Sequence, residues 1–336
     1  MSNHSVILQP FKGIATRYTC PSCNKRHEFT RYLSQESGEH IADHVGRCNR
    51  ELHCGYHYTP KQYHEDNKGS FGTTSYNKPD DKRIVQDVEV RPIQRLPYDI
   101  LEKSMVKYES NNFFMFLRTL FGVEVANSLV ETYYLGTSKK WPGANIFWQV
   151  DINGDLRQAK IMLYNSSTGR RVKDTDKDYV YYAGKSILND YEANLQQCFF
   201  GEVLLRMFPD KKVAIVESEK TAMVANIYFP DIIWLATGGS HGCKWTTHDV
   251  SKVLNNRVIM LFPDLGFYDK WKIKADLVQS IVNCRIVVSE LLERNATEEQ
   301  KKAGWDLADY LLLNRDTTGW ALAAEGYPLI WDLKHS

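Results

Sequence analysis

The sequence predicts an α/β protein in three parts: a small N-terminal module stapled by cysteines, a small α+β middle domain, and a C-terminal parallel sheet flanked by helices. Three observations predict it. Four of the seven cysteines fall between residues 20 and 54. An alternating pattern about Asn153-Gly154 reads as a hairpin. From residue 211 onward, short apolar runs alternate with helical segments, the pattern of a parallel sheet with both faces covered.

At about 100–200 residues per domain, a chain of 336 residues holds two or three domains. Lys and Arg number 42 against 41 Asp and Glu, which excludes a globally basic nucleic-acid coat but leaves room for a local basic channel. No apolar run reaches the roughly 18 residues of a membrane span. The start, MSNHSVILQPFKG, has neither the basic nor the apolar region of a secretion signal. A cytoplasmic protein is expected, and the odd cysteine count argues against a disulfide scaffold. Cys198, Cys243 and Cys284 lie in apolar surroundings and read as core residues.

Residues 1–64 are polar and rich in His and Cys, so they need a staple to fold. Cys20 and Cys23 form a C-x-x-C knuckle, and Cys48 and Cys54 form a second pair. Two such pairs supply the four thiolates of a tetrahedral zinc site. Between them, a strand near Phe29–Tyr32, a turn at Gly38 and a return strand into Arg47 give the plan of a zinc ribbon. The second pair is the less regular one, and His53 or His57 are alternative ligands. Arg17, Tyr18, Lys25, Arg31, Tyr32 and Arg47 mix basic and aromatic side chains, which suits single-stranded nucleic acid and equally suits a plain solvated surface.

Residues 65–95 read as a linker, with one extended piece near Val88. Residues 96–210 form the middle domain. Two helices separated by Gly122, the first with Ser110 as N-cap, precede the strands FWQVDI and LRQAKIMLY. A second turn follows at Ser167-Thr168-Gly169. Residues 211–320 carry four strands, KKVAIVES, DIIWLAT, RVIMLFP and RIVVSELL, with helices between them. Residues 321–336 form a tail.

Glu217 and Asp264 stand where the first and third of these strands end. Ligands of open α/β sheets gather at the carboxyl ends of strands. With Asp306 and Asp309, these acids suit Mg²⁺, which prefers carboxylate, water and phosphate oxygens. Acids at such positions also serve as ordinary helix caps, as Glu219 does on this second reading.

In the order of these motifs the chain resembles the Toprim-domain primases of bacteria, phages and plasmids. The resemblance rests on VAIVESEKTAM, WLATGGSHG, VIMLFPDLG and WDLADYL in that order, behind a four-cysteine module and a hairpin carrying Tyr164 and Arg170-Arg171. It implies a Toprim-like fold for residues 211–320, with Glu217, Asp264 and Asp306 as catalytic residues and magnesium ligands. It departs at one place: the second acid of D-x-D is Gly266 here, with Asp269 a little further on and Asp309 nearby as additional acids. The implied function is a primase-like nucleotidyltransferase that joins nucleoside triphosphates on single-stranded DNA in replication of a mobile element. It would use structural zinc and Mg²⁺ or Mn²⁺, with a helicase or other replication protein as partner. Arg157, Lys160, Arg170, Arg171, Lys173, Lys185 and Lys220 would contact nucleic acid or nucleotide. The alternatives are a Toprim metal-dependent nuclease and a non-catalytic DNA-binding accessory protein. No P-loop is present, so a motor is not expected in this chain.

Overall fold

In the computed structural model the described residues are 6–11, 13–35, 37–50, 54–66, 92–174 and 177–313. The expected linker piece near Val88, the tail and His53 lie outside them. The chain divides into two compact units, Met1–Asp87 and Val88–Ser336, with the division inside the expected linker.

The first unit holds strands β1 (Val6–Leu8), β2 (Phe29–Ser34), β3 (Gly46–Cys48) and β4 (His57–Tyr58), followed by helix α1 (Pro60–Asp66). The strands form one antiparallel sheet in the order β1-β2-β3-β4. The expected hairpin is its centre, and β1 is an addition that VIL alone does not announce. The core is minute: Cys20, Phe29 and Cys48 are fully buried, with Tyr18 and Tyr56 packed around them. So small a core leaves the cysteines as the staple.

The second unit opens with α2 (Tyr98–Ser104), α3 (Asn112–Phe121) and α4 (Val123–Tyr133). The N-cap of α3 is Asn111, whose side chain accepts from the Phe114 N–H, and not the neighbouring Ser110. Strands β5 (Leu135–Thr137), β6 (Asn145–Val150) and β7 (Leu156–Met162) follow. A two-stranded ribbon, β8 (Lys173–Asp174) and β9 (Lys177–Asp178), leads to β10 (Val180–Tyr182). The antiparallel sheet runs β10-β7-β6-β5. Short helices α5 (Gly184–Leu188) and α6 (Leu204–Met207) lead into the second sheet.

That sheet is parallel, in the order β12-β11-β13-β14, built from β11 (Lys212–Val216), β12 (Ile232–Ala236), β13 (Val258–Leu261) and β14 (Arg285–Val288). The connections are α7 (Glu219–Tyr228), α8 (His248–Ser251) and α9 (Tyr268–Ile281), and α10 (Leu291–Asn295), α11 (Glu298–Ala303) and α12 (Leu307–Leu313) close the chain. From β11 the chain moves to one neighbour, β12, and then returns to the other, β13. This is a topological switch point, where an open sheet offers a crevice at its carboxyl ends.

One hydrophobic cluster runs from Leu96 to Leu311 through both sheets, so the regions expected as middle and C-terminal domains share a core. Tyr133 stacks on Phe200 at 5.2 Å, and its hydroxyl donates to the Trp234 carbonyl at 3.2 Å. Phe200 also pairs with Ala236 across a β-bridge.

A buried ion pair adds a charged link between the sheets. Lys160 projects from β7 and Glu219 from the first turn of α7, and the Lys160 Nζ donates to both Glu219 oxygens at 2.8 and 3.0 Å and to the Gly238 carbonyl at 2.9 Å. The side chains are 7% and 1% exposed. All three ammonium protons are thereby used, the condition under which buried charge is tolerated. Lys160 was expected to line a nucleic-acid path. That expectation is corrected: its charge is enclosed and spent on Glu219. Removing one partner of such a pair strands the other, at a cost of about 3–5 kcal/mol, whereas an apolar pair of similar volume is near neutral. Lys160→Met should therefore lower stability to urea by about that amount, and the double variant with Glu219→Leu should recover most of it. Equal losses for the single and double variants would show that the pair does not join the sheets.

Candidate functional site

In the first unit, Cys20 and Cys23 sit on the turn before β2, Cys48 ends β3 and Cys54 precedes β4. Their four sulfurs lie within 4.8 Å of one another, and among the described residues this is the one group of three or more His, Cys, Asp or Glu side chains placed to share a metal ion. The Cys20–Cys54 and Cys23–Cys48 separations are 3.7 and 3.9 Å. A tetrahedron with bonds of about 2.3 Å to a central zinc has edges of about 3.8 Å, which these two separations match, so the four converging thiols suit zinc. Burial pushes the Cys48 thiol up to about 12, and a buried thiolate there needs a cation beside it. His57 is no ligand in this arrangement: it stacks on Tyr32 and shares a hydrogen bond of 2.8 Å with its hydroxyl. Arg31 lies over the Tyr18 ring at 3.9 Å and pairs with Asp43 at 2.9 Å.

In the second unit the acids gather at the switch point. Glu217 follows β11, and Asp264 follows the adjacent β13. Asp306 is brought beside Asp264 because the Leu265 N–H donates to the Trp305 carbonyl at 3.0 Å. Glu217 and Asp264 are half-buried. Burial and the neighbouring Asp306 and Glu217 charges hold the Asp264 carboxyl well above its ordinary range, against Lys220. Burial also raises Glu217, opposed by Lys274, Lys160 and Arg171. Neither carboxylate accepts a hydrogen bond from, or forms a salt bridge with, any described residue. A Cβ on Gly239 would stand 3.7 Å from Glu217 Oε1, so the glycine leaves that face of the carboxylate open. Unpartnered acceptors in a half-buried crevice fit a divalent cation and phosphate oxygens.

Asp306 and Asp309 are satisfied differently. Asp306 Oδ1 accepts from the Asp309 N–H at 2.9 Å, and Asp309 Oδ2 accepts from the Asp306 N–H at 3.3 Å, a reciprocal cap on α12. Thr221 donates to Asp306 Oδ2 at 2.8 Å, and Lys220 Nζ stands 3.7 Å from Asp306 and 3.4 Å from Asp309. Gly266 has a φ of 81°, a left-handed turn, and its N–H donates to Glu293 at 2.8 Å. Asp269 is exposed in the first turn of α9.

The expected basic contacts separate into two groups. Arg157 is engaged with Asp151 at 2.6 and 2.7 Å, and Lys185 donates to the Tyr191 carbonyl at 2.8 Å. Arg170, Arg171 and Lys173 are exposed beyond the turn at Gly169, whose Cβ would collide with the Phe116 ring. Sequence reading missed the partners of Lys160 and Lys220. The available signal was a lone lysine inside the apolar run of β7, where an uncompensated charge cannot stay.

Residues 4–69 match the model of a zinc beta-ribbon finger family, which agrees with the cysteine geometry: the module is a zinc ribbon. Residues 111–265 match a domain of unknown function, DUF6371, in one stretch that spans the antiparallel sheet, Lys160, Glu217, Glu219 and Asp264. No curated protein matches. Among solved structures, the chain is similar to the RNA polymerase domain of Mycobacterium tuberculosis primase, with 11% identity over 68% of this chain and 81% of that one and a TM-score of 0.42. It is similar to the primase fragment of the bacteriophage T7 primase-helicase protein at 10% identity, over 86% and 98% of the two chains, with a TM-score of 0.32. The zinc-binding and RNA polymerase domains of Aquifex aeolicus primase align at 13% identity over 60% and 51%, with a TM-score of 0.31. At scores below 0.5 these likenesses carry no weight against side-chain geometry, on which the functional reading rests.

Elemental analysis of protein purified without chelator should give one zinc per chain. Cys23→Ser should lose the metal and unfold the first unit while the second keeps its structure, because structural zinc supplies the folding energy of such modules. A zinc-free protein with an ordered first unit would overturn the assignment.

Proposed function

We propose that this chain is a primase-like nucleotidyltransferase that joins nucleoside triphosphates along single-stranded DNA. The observation that carries the reading is the pair of half-buried, unpartnered carboxylates, Glu217 and Asp264, at the ends of adjacent parallel strands. These two residues would hold Mg²⁺ or Mn²⁺, which when bound neutralises phosphate charge and orients the reacting oxygens. The rest is the work of the chain itself. Ser218 caps α7 by accepting from the Thr221 N–H at 3.1 Å, and so fixes the residue next to Glu217. Lys160 and Tyr182 both donate to the Gly238 carbonyl, holding the glycine loop against the carboxylate. Lys274 and Arg171 place positive charge near Glu217, where triphosphate would enter. The exposed Arg170, Arg171 and Lys173 supply phosphate contacts for a strand. The zinc ribbon adds a second basic and aromatic surface suited to unpaired bases. The resemblance of motif order, rather than geometry, adds the setting of mobile-element replication and a helicase or other replication protein as partner.

Gly266 favours a second reading, a DNA-binding accessory protein without chemistry, since the D-x-D position contributes no carboxylate. Ribonucleotide incorporation on single-stranded DNA, run beside a nicking assay on the same protein, separates the readings. Template-dependent product that falls at least about 100-fold in Glu217→Gln supports nucleotidyl transfer. Nicking alone indicates a nuclease, and binding with neither activity indicates the accessory protein. In fluorescence anisotropy, each phosphate contact to a single strand contributes about 0.7 to the log–log salt slope, so the double variant Arg170→Ala/Arg171→Ala should flatten it by about 1.4. An unchanged slope would remove these arginines from the interface.

A further inference from the structure

The four acids of the crevice divide into an open pair and a closed pair. Glu217 and Asp264 have no donor among the described residues. Every oxygen of Asp306 and Asp309 is engaged: by each other's N–H groups, by the Thr221 hydroxyl and by Lys220. Lys220 is itself nearly enclosed, with a side chain 11% exposed, and it points at these two carboxylates. A magnesium ion needs about six oxygen ligands in near-octahedral array. A second ion at Asp306 and Asp309 would have to displace Lys220, strip the Thr221 hydroxyl and break the cap of α12. Gly266 offers no carboxylate to assist it.

We propose that Lys220 is a built-in cation that stands where a second metal would otherwise sit, so that the crevice takes one divalent ion, at Glu217 and Asp264. Lys220 is on this account a positioning residue and not a nucleotide contact: it fixes Asp306 and Asp309 and supplies one permanent positive charge beside the exchangeable one. An ammonium is not a Lewis acid and does not acidify water as a bound divalent ion would, so any metal-activated water would lie at the Glu217–Asp264 end.

The inference rests on the divalent-ion reading above, and counting bound Mn²⁺ tests the two separately. Free Mn²⁺ is measured by its electron paramagnetic resonance signal during titration of the full, zinc-loaded chain. One Mn²⁺ per chain is expected. Glu217→Gln and Asp264→Asn should each weaken it about tenfold or more, and Asp309→Asn should leave it within about threefold. Lys220→Met, with a native circular dichroism spectrum, should admit a second ion, and Lys220→Arg should not. Two ions in the parent protein, or a loss in Asp309→Asn as large as in Asp264→Asn, would overturn the proposal even if Lys220→Met fails to fold. One ion in both the parent and Lys220→Met would remove the role of Lys220 while leaving the metal reading intact. No ion in either would bring down the metal reading and this inference with it.

Discussion

The arrangement of the second unit turns on an enclosed ion pair, Lys160 with Glu219, set among the apolar and backbone contacts that join its two sheets. Two sheets of opposite character meet there, one antiparallel and one parallel. Their apolar faces bury a continuous core, but hydrophobic contact is non-directional and would tolerate sliding. An ion pair with all three ammonium protons assigned does not. Because the third proton goes to the Gly238 carbonyl, the same contact that registers the sheets also sets the glycine loop beside Glu217. Position of the crevice and integrity of the fold are therefore one constraint.

The crevice shows how a chain can divide a cluster of like charges between its own donors and an open pair. Four carboxylates at close quarters repel, and burial sharpens the repulsion. The chain relieves half of it by covalently supplied donors and leaves half unrelieved. The unrelieved half is the candidate site, because unspent acceptors next to an open glycine loop have binding energy left to give, whereas Asp306 and Asp309 have little. Glu217 and Asp264 follow parallel strands while Asp306 and Asp309 cap a helix, and the accounting of donors divides the four acids along the same line.

Much of this was legible in the sequence, for reasons that are local. The cysteine pairs specify a ribbon because zinc geometry leaves few alternatives, and the sulfurs are at the required spacing. The parallel strands announce themselves as apolar runs bounded by charge, and all four appear where expected. Gly122 separates two helices as anticipated, with a φ of 88°. What escaped was non-local. Lys160 and Glu219 are 59 residues apart, and nothing in QAKIM or ESEKTAM names the other. Lys160 therefore read as one more basic residue of a hairpin. Lys220 read as a nucleotide contact for the same reason: its partners lie 86 and 89 residues away, in a segment whose own pattern suggests only a helix start. Strand β1 was missed because three apolar residues become a strand only when an edge is waiting for them.

The turn at Gly266 limits how many carboxylates this end of the sheet can present. Two acids separated by one residue share a face only while the backbone between them is extended, since side chains then alternate with a period of two. Here the chain turns left-handed at the position in question and is tied there by Glu293. A Cβ at 266 would meet nothing within 4 Å, so a mutation to aspartate would find room. It would still carry the strain of a left-handed residue, about 1–2 kcal/mol, and would send its carboxylate in a direction that an extended D-x-D never takes. Adding a carboxylate at this position is therefore a matter of backbone direction and not of space: the loop between β13 and α9 would have to be extended before an acid at 266 could face the same way as Asp264.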